Sequence, residues 1–97
     1  VCVDADRPDR LTFAGVRLNL YLGGQTDLAT RDYANSYTRL AEQTASVQSG
    51  ALSGRGMLIP FGVFGAVGLF DSCRYPHYLS DLEFSLRARR AGYALPV

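Results

Sequence analysis

The chain has 97 residues, 47% of them hydrophobic and 20% charged, the make-up of one small globular domain or part of a larger one and not of a disordered tail. Its net charge of +1 gives no electrostatic hold on nucleic acid or on an anionic membrane, and its ten basic residues are all Arg, which reads as codon habit more than as phosphate chemistry. No apolar run reaches the ~18 residues of a membrane span, so the sequence carries no transmembrane segment.

A chain this short buries only ~60–65% of its unfolded surface and is marginally stable alone. Val1-Cys2-Val3 reads as the end of a strand near 1–3, followed by a polar turn from Asp4 to Arg10 that contains Pro8. A short strand is expected at 11–18, with Gly15 inside it. Gly23-Gly24 breaks the chain. From Asp27 to Gln43, the spacing of Tyr33, Tyr37, Leu40 and Ala41 predicts a weak amphipathic helix or an ordered loop. A further strand is expected at 45–52, entering a turn at Ser53-Gly54-Arg55-Gly56. Cys2 and Cys73 fit no metal or redox spacing and read as two reduced, buried thiols.

The second half carries sharper signals. Met57-Leu58-Ile59 is a short apolar strand at 57–59. Pro60 suits the first position of a helix at 60–67, because its missing N–H has no intrahelical partner there anyway. Phe61, Phe64 and Val67 follow at helical spacing, and Gly68 is a natural stop. Gly62 and Gly65 weaken that helix by up to ~1 kcal/mol each. An aromatic loop, Tyr75-Pro76-His77-Tyr78, precedes a last helix at 81–91. Ser80-Asp81-Leu82-Glu83 matches a capping box, with Leu82, Ser85, Leu86 and Arg89 along one stripe. Arg87, Arg89 and Arg90 fall in the last turn, where cations suit the helix dipole, and Gly92 ends the helix.

The ordered string from Gly54-Arg55-Gly56-Met57-Leu58-Ile59-Pro60 through Val63-Phe64, Gly68-Leu69-Phe70-Asp71, Pro76-His77-Tyr78 and Asp81-Leu82-Glu83-Phe84 to Leu86-Arg87-Ala88-Arg89-Arg90-Ala91-Gly92-Tyr93 resembles family-two glycosyltransferases of the GT-A fold. The match covers about residues 50–95. Residues 1–20 resemble more loosely the strand pair that follows the metal-binding motif of that family, and 21–45 correspond to a variable region. The resemblance implies an α/β fold, part of a GT-A mixed-sheet domain and a fragment of it, with the whole chain as the acceptor-side half. Both termini fit that expectation, since each reads as a strand cut from a longer chain without a start Met or signal peptide.

In that family the first half of the domain binds a nucleotide-sugar donor, and an Asp-X-Asp motif there holds Mg²⁺ or Mn²⁺ against the diphosphate. The second half places an acidic pair, usually Glu-Asp, at a helix start, and the Asp is the usual catalytic base. Here the pair reads Ser80-Asp81, so the resemblance implies Asp81 as the general base, with the preceding Glu replaced. Such help to an attacking hydroxyl is worth ~10²–10⁴-fold, and a helix start favours negative charge and holds the group firmly. Acids are also common in first helical turns for stability alone.

Around Asp81, Gly54, Arg55, Gly56, His77 and Tyr78 are the candidate substrate-binding residues. Gly54 and Gly56 let backbone approach a sugar closely. Arg55 pairs with a phosphate or sits in a plain surface turn. His77 contacts the acceptor or packs in the loop. Tyr75 and Tyr78 form a sugar platform or join the core, and Glu83 caps the helix in preference to reacting. Asp4-Ala5-Asp6 looks like a metal motif. It stands too near Gly54 for the family's spacing and reads as a turn, so no metal ligand is assigned within the chain.

The expected partners are a nucleotide-sugar donor and a glycan or lipid-linked acceptor in polysaccharide biosynthesis, with no nucleic acid. The expected location is cytoplasmic, including the inner face of a membrane through the parent protein, and the isolated chain is expected to be inactive. Two rivals stand beside this reading. One is a non-catalytic carbohydrate-binding or assembly module of the same fold. The other is a structural fragment that self-associates to cover open strand edges.

Overall fold

A computed structural model describes residues 1–97. Two short antiparallel two-stranded sheets and four short helices place the chain in the coarse α/β class. No helix is long and apolar enough to cross a membrane. The chain divides into two compact units, Val1–Gly50 with Pro96–Val97, and Ala51–Leu95.

In the first unit, β1 (Cys2–Val3) pairs with β2 (Leu11–Phe13), in the register Cys2 to Phe13 and Val3 to Leu11 with an irregularity between them. The expected strand at 11–18 is in fact two. Gly15 breaks it at a φ of 93°, a conformation that L side chains rarely adopt. A Cβ there would also come within 3.1 Å of Ser49 and Val97 side-chain atoms. Beyond the break, β3 (Val16–Asn19) pairs with β4 (Gly24–Asp27) in register from Val16–Asp27 to Asn19–Gly24. The Gly23-Gly24 break is therefore the far end of a hairpin. Its turn is held by Asn19 Oδ1, which accepts from the Tyr21 and Leu22 amides.

The polar segment that follows folds as two helices, α1 (Leu28–Tyr33) and α2 (Tyr37–Gln43). Asp27 Oδ1 accepts from Ala29 N at 2.9 Å and starts α1. Ala34 and Asn35 both turn left-handed and end it. Ser36 Oγ accepts from Arg39 N at the start of α2. Leu11, Ala14, Leu28, Ala29, Tyr33, Leu40 and Val47 form the core of this unit.

The strand expected at 45–52 does not form. Its first part makes a single bridge, Gln48 to Pro96, flanked by mutual Val47–Val97 backbone bonds. Ser49 then substitutes its hydroxyl for a ladder carbonyl by accepting from Val16 N at 2.9 Å. Side-chain bonding of this kind competes with a regular ladder. The turn at 4–10 does form: Asp4 Oδ1 accepts from Asp6 N, and Asp4 N donates to Arg10 O. Cys2 is half-buried and Cys73 is exposed, with no disulfide between them, so the expectation of two buried thiols is met at neither and fails outright at Cys73.

The second unit contains no strand. Met57 and Ile59 are half-buried and Leu58 is exposed, the alternation of an extended segment, but no partner chain lies beside 57–59. α3 (Phe61–Val67) starts after Pro60, which stands just outside as the N-cap, and Gly68 closes it at a φ of 81°. α4 (Ser80–Arg90) buries Phe84, Ser85 and Ala88; of the expected stripe only Ser85 is buried, Leu82 and Leu86 are half-buried and Arg89 is exposed. Val63, Phe84 and Ala88 make the buried core, with Met57, Ile59, Phe64 and Val67 packed against it. Phe70 stacks on Phe84 at 4.5 Å between ring centroids, and Phe64 tilts against Phe84 at 5.4 Å.

The capping box at Ser80 and Glu83 is not made. The N-cap is Leu79, left-handed at a φ of 66°, and it makes no side-chain cap. Ser80 is the first helical residue, and Glu83 N donates to Leu79 O at 2.8 Å. The Glu83 carboxylate turns instead to Arg87, one turn on, which donates to it at 2.9 and 2.7 Å. Arg87 also donates to the carbonyls of Val67 and Leu69, so its guanidinium satisfies the end of α3.

Candidate functional site

The second unit holds a cleft of about 640 Å³, within the range of small-molecule sites. Three segments shape it: the turn at 54–59, the loop ending at Leu79, and the first turn of α4. Asp81, Gly54, Gly56, His77 and Tyr78, all singled out from the sequence, line this one space. Arg55 does not line it and lies exposed on the turn between the two glycines.

Asp81 is held from two sides. Its Oδ2 accepts from Gly54 N at 2.6 Å, and its Oδ1 accepts from Leu82 N at 2.8 Å. The carboxylate therefore fixes the 54 turn to the start of α4. A carboxylate offers about four lone-pair sites. Two are used by the backbone, so Asp81 retains accepting capacity on the open side of the cleft. A Cβ added at Gly54 would come to 3.4 Å from Asp81 Oδ2, tight against the bond that positions the carboxylate.

The other lining residues give the cleft two characters. His77 and Tyr78 are exposed, and Tyr78 keeps 84% of its surface, so its ring is not a core residue. Tyr75 is half-buried and lines a different cavity. Met57, Ile59, Phe70 and Leu79 supply an apolar wall that the sequence reading did not assign to the site. For Met57 and Ile59 the signal was present, since alternate residues of an extended run share a side. Phe70 is placed by its stacking on Phe84, and Leu79 by its left-handed backbone, and neither is legible in local sequence. A bulky residue at positive φ is uncommon, and such conformations concentrate at functional sites.

Glu83 neither caps the helix nor faces the cleft. Its carboxyl is held below its ordinary pKa, chiefly by the Arg87 hydrogen bond. No three His, Cys, Asp or Glu side chains converge in a way that could hold a metal ion, and Asp4 and Asp6 are joined through a backbone turn. Comparison of the chain with protein-family models, curated proteins and solved structures returned no match.

Proposed function

We propose that this chain is the acceptor-side portion of a GT-A glycosyltransferase, with Asp81 as the base that receives the acceptor's proton. The observation that carries the reading is the convergence of Asp81 with Gly54, Gly56, His77 and Tyr78 on one open cleft. Two runs separated in the chain, 54–56 and 77–81, meet there through the Gly54 N–H that donates to Asp81 Oδ2, and Arg55 alone of the candidate residues stays outside.

In this reading an acceptor hydroxyl enters the cleft and donates to a free lone pair of Asp81. The Gly54 and Leu82 amides keep the carboxylate still, so little is lost in orienting it. The hydroxyl oxygen attacks the anomeric carbon of the donor, the C–O bond to the nucleoside diphosphate breaks with its electron pair leaving on the phosphate, and the hydroxyl proton passes to Asp81. Tyr78 offers a ring face to the apolar side of a sugar, and the backbone around Gly54 and Gly56 allows close approach. Donor contacts and a divalent cation that neutralises the leaving diphosphate belong, on this reading, to residues outside the chain.

The test is Asp81→Asn in the parent protein. Transfer falls by ~10²–10⁴-fold while donor binding stays near that of the parent, and the melting temperature drops only by the loss of one of the two backbone hydrogen bonds, because Asn keeps a single accepting oxygen. Unchanged transfer sinks the assignment. Loss of transfer together with a collapse in stability assigns Asp81 a structural role instead. A second reading is favoured by one observation: both Asp81 oxygens already accept backbone N–H groups. It is a carbohydrate-binding or assembly module without transfer, and it is separated from the first by sugar binding in the absence of any donor-dependent product.

A further inference from the structure

A second cavity, of about 370 Å³, opens along α4 in the same unit. Leu79, Leu82 and Leu86 recur at three- and four-residue spacing and form its apolar floor, with Tyr75 beside them. Glu83, Arg87 and Arg90 make the adjoining polar row. Two of these three charges cancel, because Glu83 and Arg87 bond each other at 2.7 Å, and two further Arg87 N–H groups donate to the Val67 and Leu69 carbonyls. Arg90 is exposed and stands outside that network at the C-terminal end of the helix. The cavity thus presents a strip of leucines ending in one uncommitted guanidinium.

We propose that this groove binds a monomeric amphipathic anion, with a single hydrocarbon chain on Leu79, Leu82 and Leu86 and a phosphate or carboxylate head on Arg90. Each alternative leaves part of the groove without a match. A neutral hydrocarbon gives Arg90 nothing to pair with. A small hydrophilic anion leaves the leucines wet. A flat bilayer surface does not enter a concave site, whereas one chain does. The planar guanidinium fork suits the paired oxygens of phosphate and carboxylate. The site does not involve Asp81, so it stands or falls apart from the glycosyl-transfer reading.

The test titrates the 97-residue chain with octyl phosphate below its micelle concentration, with octanol, and with inorganic phosphate, followed by NMR of leucine methyls and arginine side-chain N–H groups. Octyl phosphate is expected to shift the Leu82 and Leu86 methyls and the Arg90 signal together. Octanol binds about tenfold to a hundredfold more weakly, the worth of one charge-assisted hydrogen bond. Inorganic phosphate leaves the methyls unmoved. Arg90→Gln lowers octyl phosphate binding to the octanol level with the rest of the spectrum unchanged, and Arg90→Lys recovers part of it. Absence of a joint shift, or equal affinity of Arg90→Gln and the parent chain, overturns the proposal. A leucine-containing acidic peptide that outcompetes octyl phosphate overturns it in favour of a protein partner.

Discussion

The two units of this chain are held together by different means. In the first, seven buried residues drawn from strands, helices and connecting segments form one core, and side chains reach far along the sequence to satisfy backbone, as Ser49 does for Val16 and Asp9 for Thr38. Its most exposed apolar side chains, Leu20, Tyr21 and Leu22, sit at the tip of one hairpin, while Val1, Val3 and Tyr37 are open to a lesser degree. In the second, the buried cluster is three residues, Val63, Phe84 and Ala88, with Ala51 and Leu95 buried outside it, and Leu58, Phe61, Leu69, Tyr78 and Leu79 lie open. The Asp81 cleft and the α4 groove are both in this second unit. The difference teaches that the smaller buried cluster and the two proposed sites fall in the same unit: apolar side chains withheld from packing are left on its surface.

The sharpest way to break this contrast is Phe84→Ala. Phe84 is 2% exposed, carries Phe64 and Phe70 on its ring, and has the Arg87 guanidinium 5.4 Å from its centroid. Its removal costs ~3–5 kcal/mol, which is most or all of what so small a core supplies. Amide exchange is expected to accelerate throughout residues 51–95 while Leu11, Leu28 and Leu40 stay protected. Equal loss of protection in both units would erase the distinction.

Arg87→Ala comes next, at ~1–2 kcal/mol. It leaves the Glu83 carboxylate without its partner and the Val67 and Leu69 carbonyls without a donor. Urea unfolding of the second unit reads the cost, and a change below a few tenths of a kcal/mol would show that the guanidinium is not what ties α3 to α4. A gain is expected at Gly65→Ala. The position is helical and a Cβ there meets nothing within 4 Å, so the helix improves by ~0.5–1 kcal/mol without a clash. A lower melting temperature would place a hidden contact on that face.

How far the sequence led depends on which interactions set each feature. α3, α4 and their glycine stops followed from spacing of three and four residues and from local turn chemistry, and they appear where expected to within a residue or two. The strands expected at 45–52 and 57–59 failed because an apolar run becomes a strand only if a partner strand lies beside it. At 49 a serine hydroxyl took the partner's place. The capping box failed for a related reason: Glu83 had two bonding partners within reach, and a charged guanidinium four residues on outcompeted a backbone N–H. The polar side of the cleft was legible through Asp81, His77 and Tyr78. Its apolar wall was not, since Phe70 and Leu79 owe their places to ring stacking and to a left-handed backbone, which depend on residues distant in the chain.

The smallest expected effect separates the units by acidity. The Thr38 hydroxyl and amide hold the Asp9 carboxyl below its ordinary value of 3.8, and the Arg87 hydrogen bond holds Glu83 below its ordinary 4.5. A carboxylate whose folded pKa is depressed contributes fully above its unfolded value, and the contribution disappears as pH falls toward the folded one. The second unit is therefore expected to begin losing its share from about pH 4.5. The first begins only from about 3.8, as the unfolded Asp9 carboxyl takes up its proton while the native one, held by Thr38, resists it. Both groups are close to solvent, so screening keeps each effect slight and salt-sensitive. Urea unfolding of each unit from pH 7 to 2, followed at the Arg87 side-chain and Thr38 amide signals, reads the two events separately, with Glu83→Gln and Asp9→Asn as the controls that flatten one stability slope each. If the first unit lost stability at the higher pH, the greater acid sensitivity assigned to the cleft-bearing unit would be reversed.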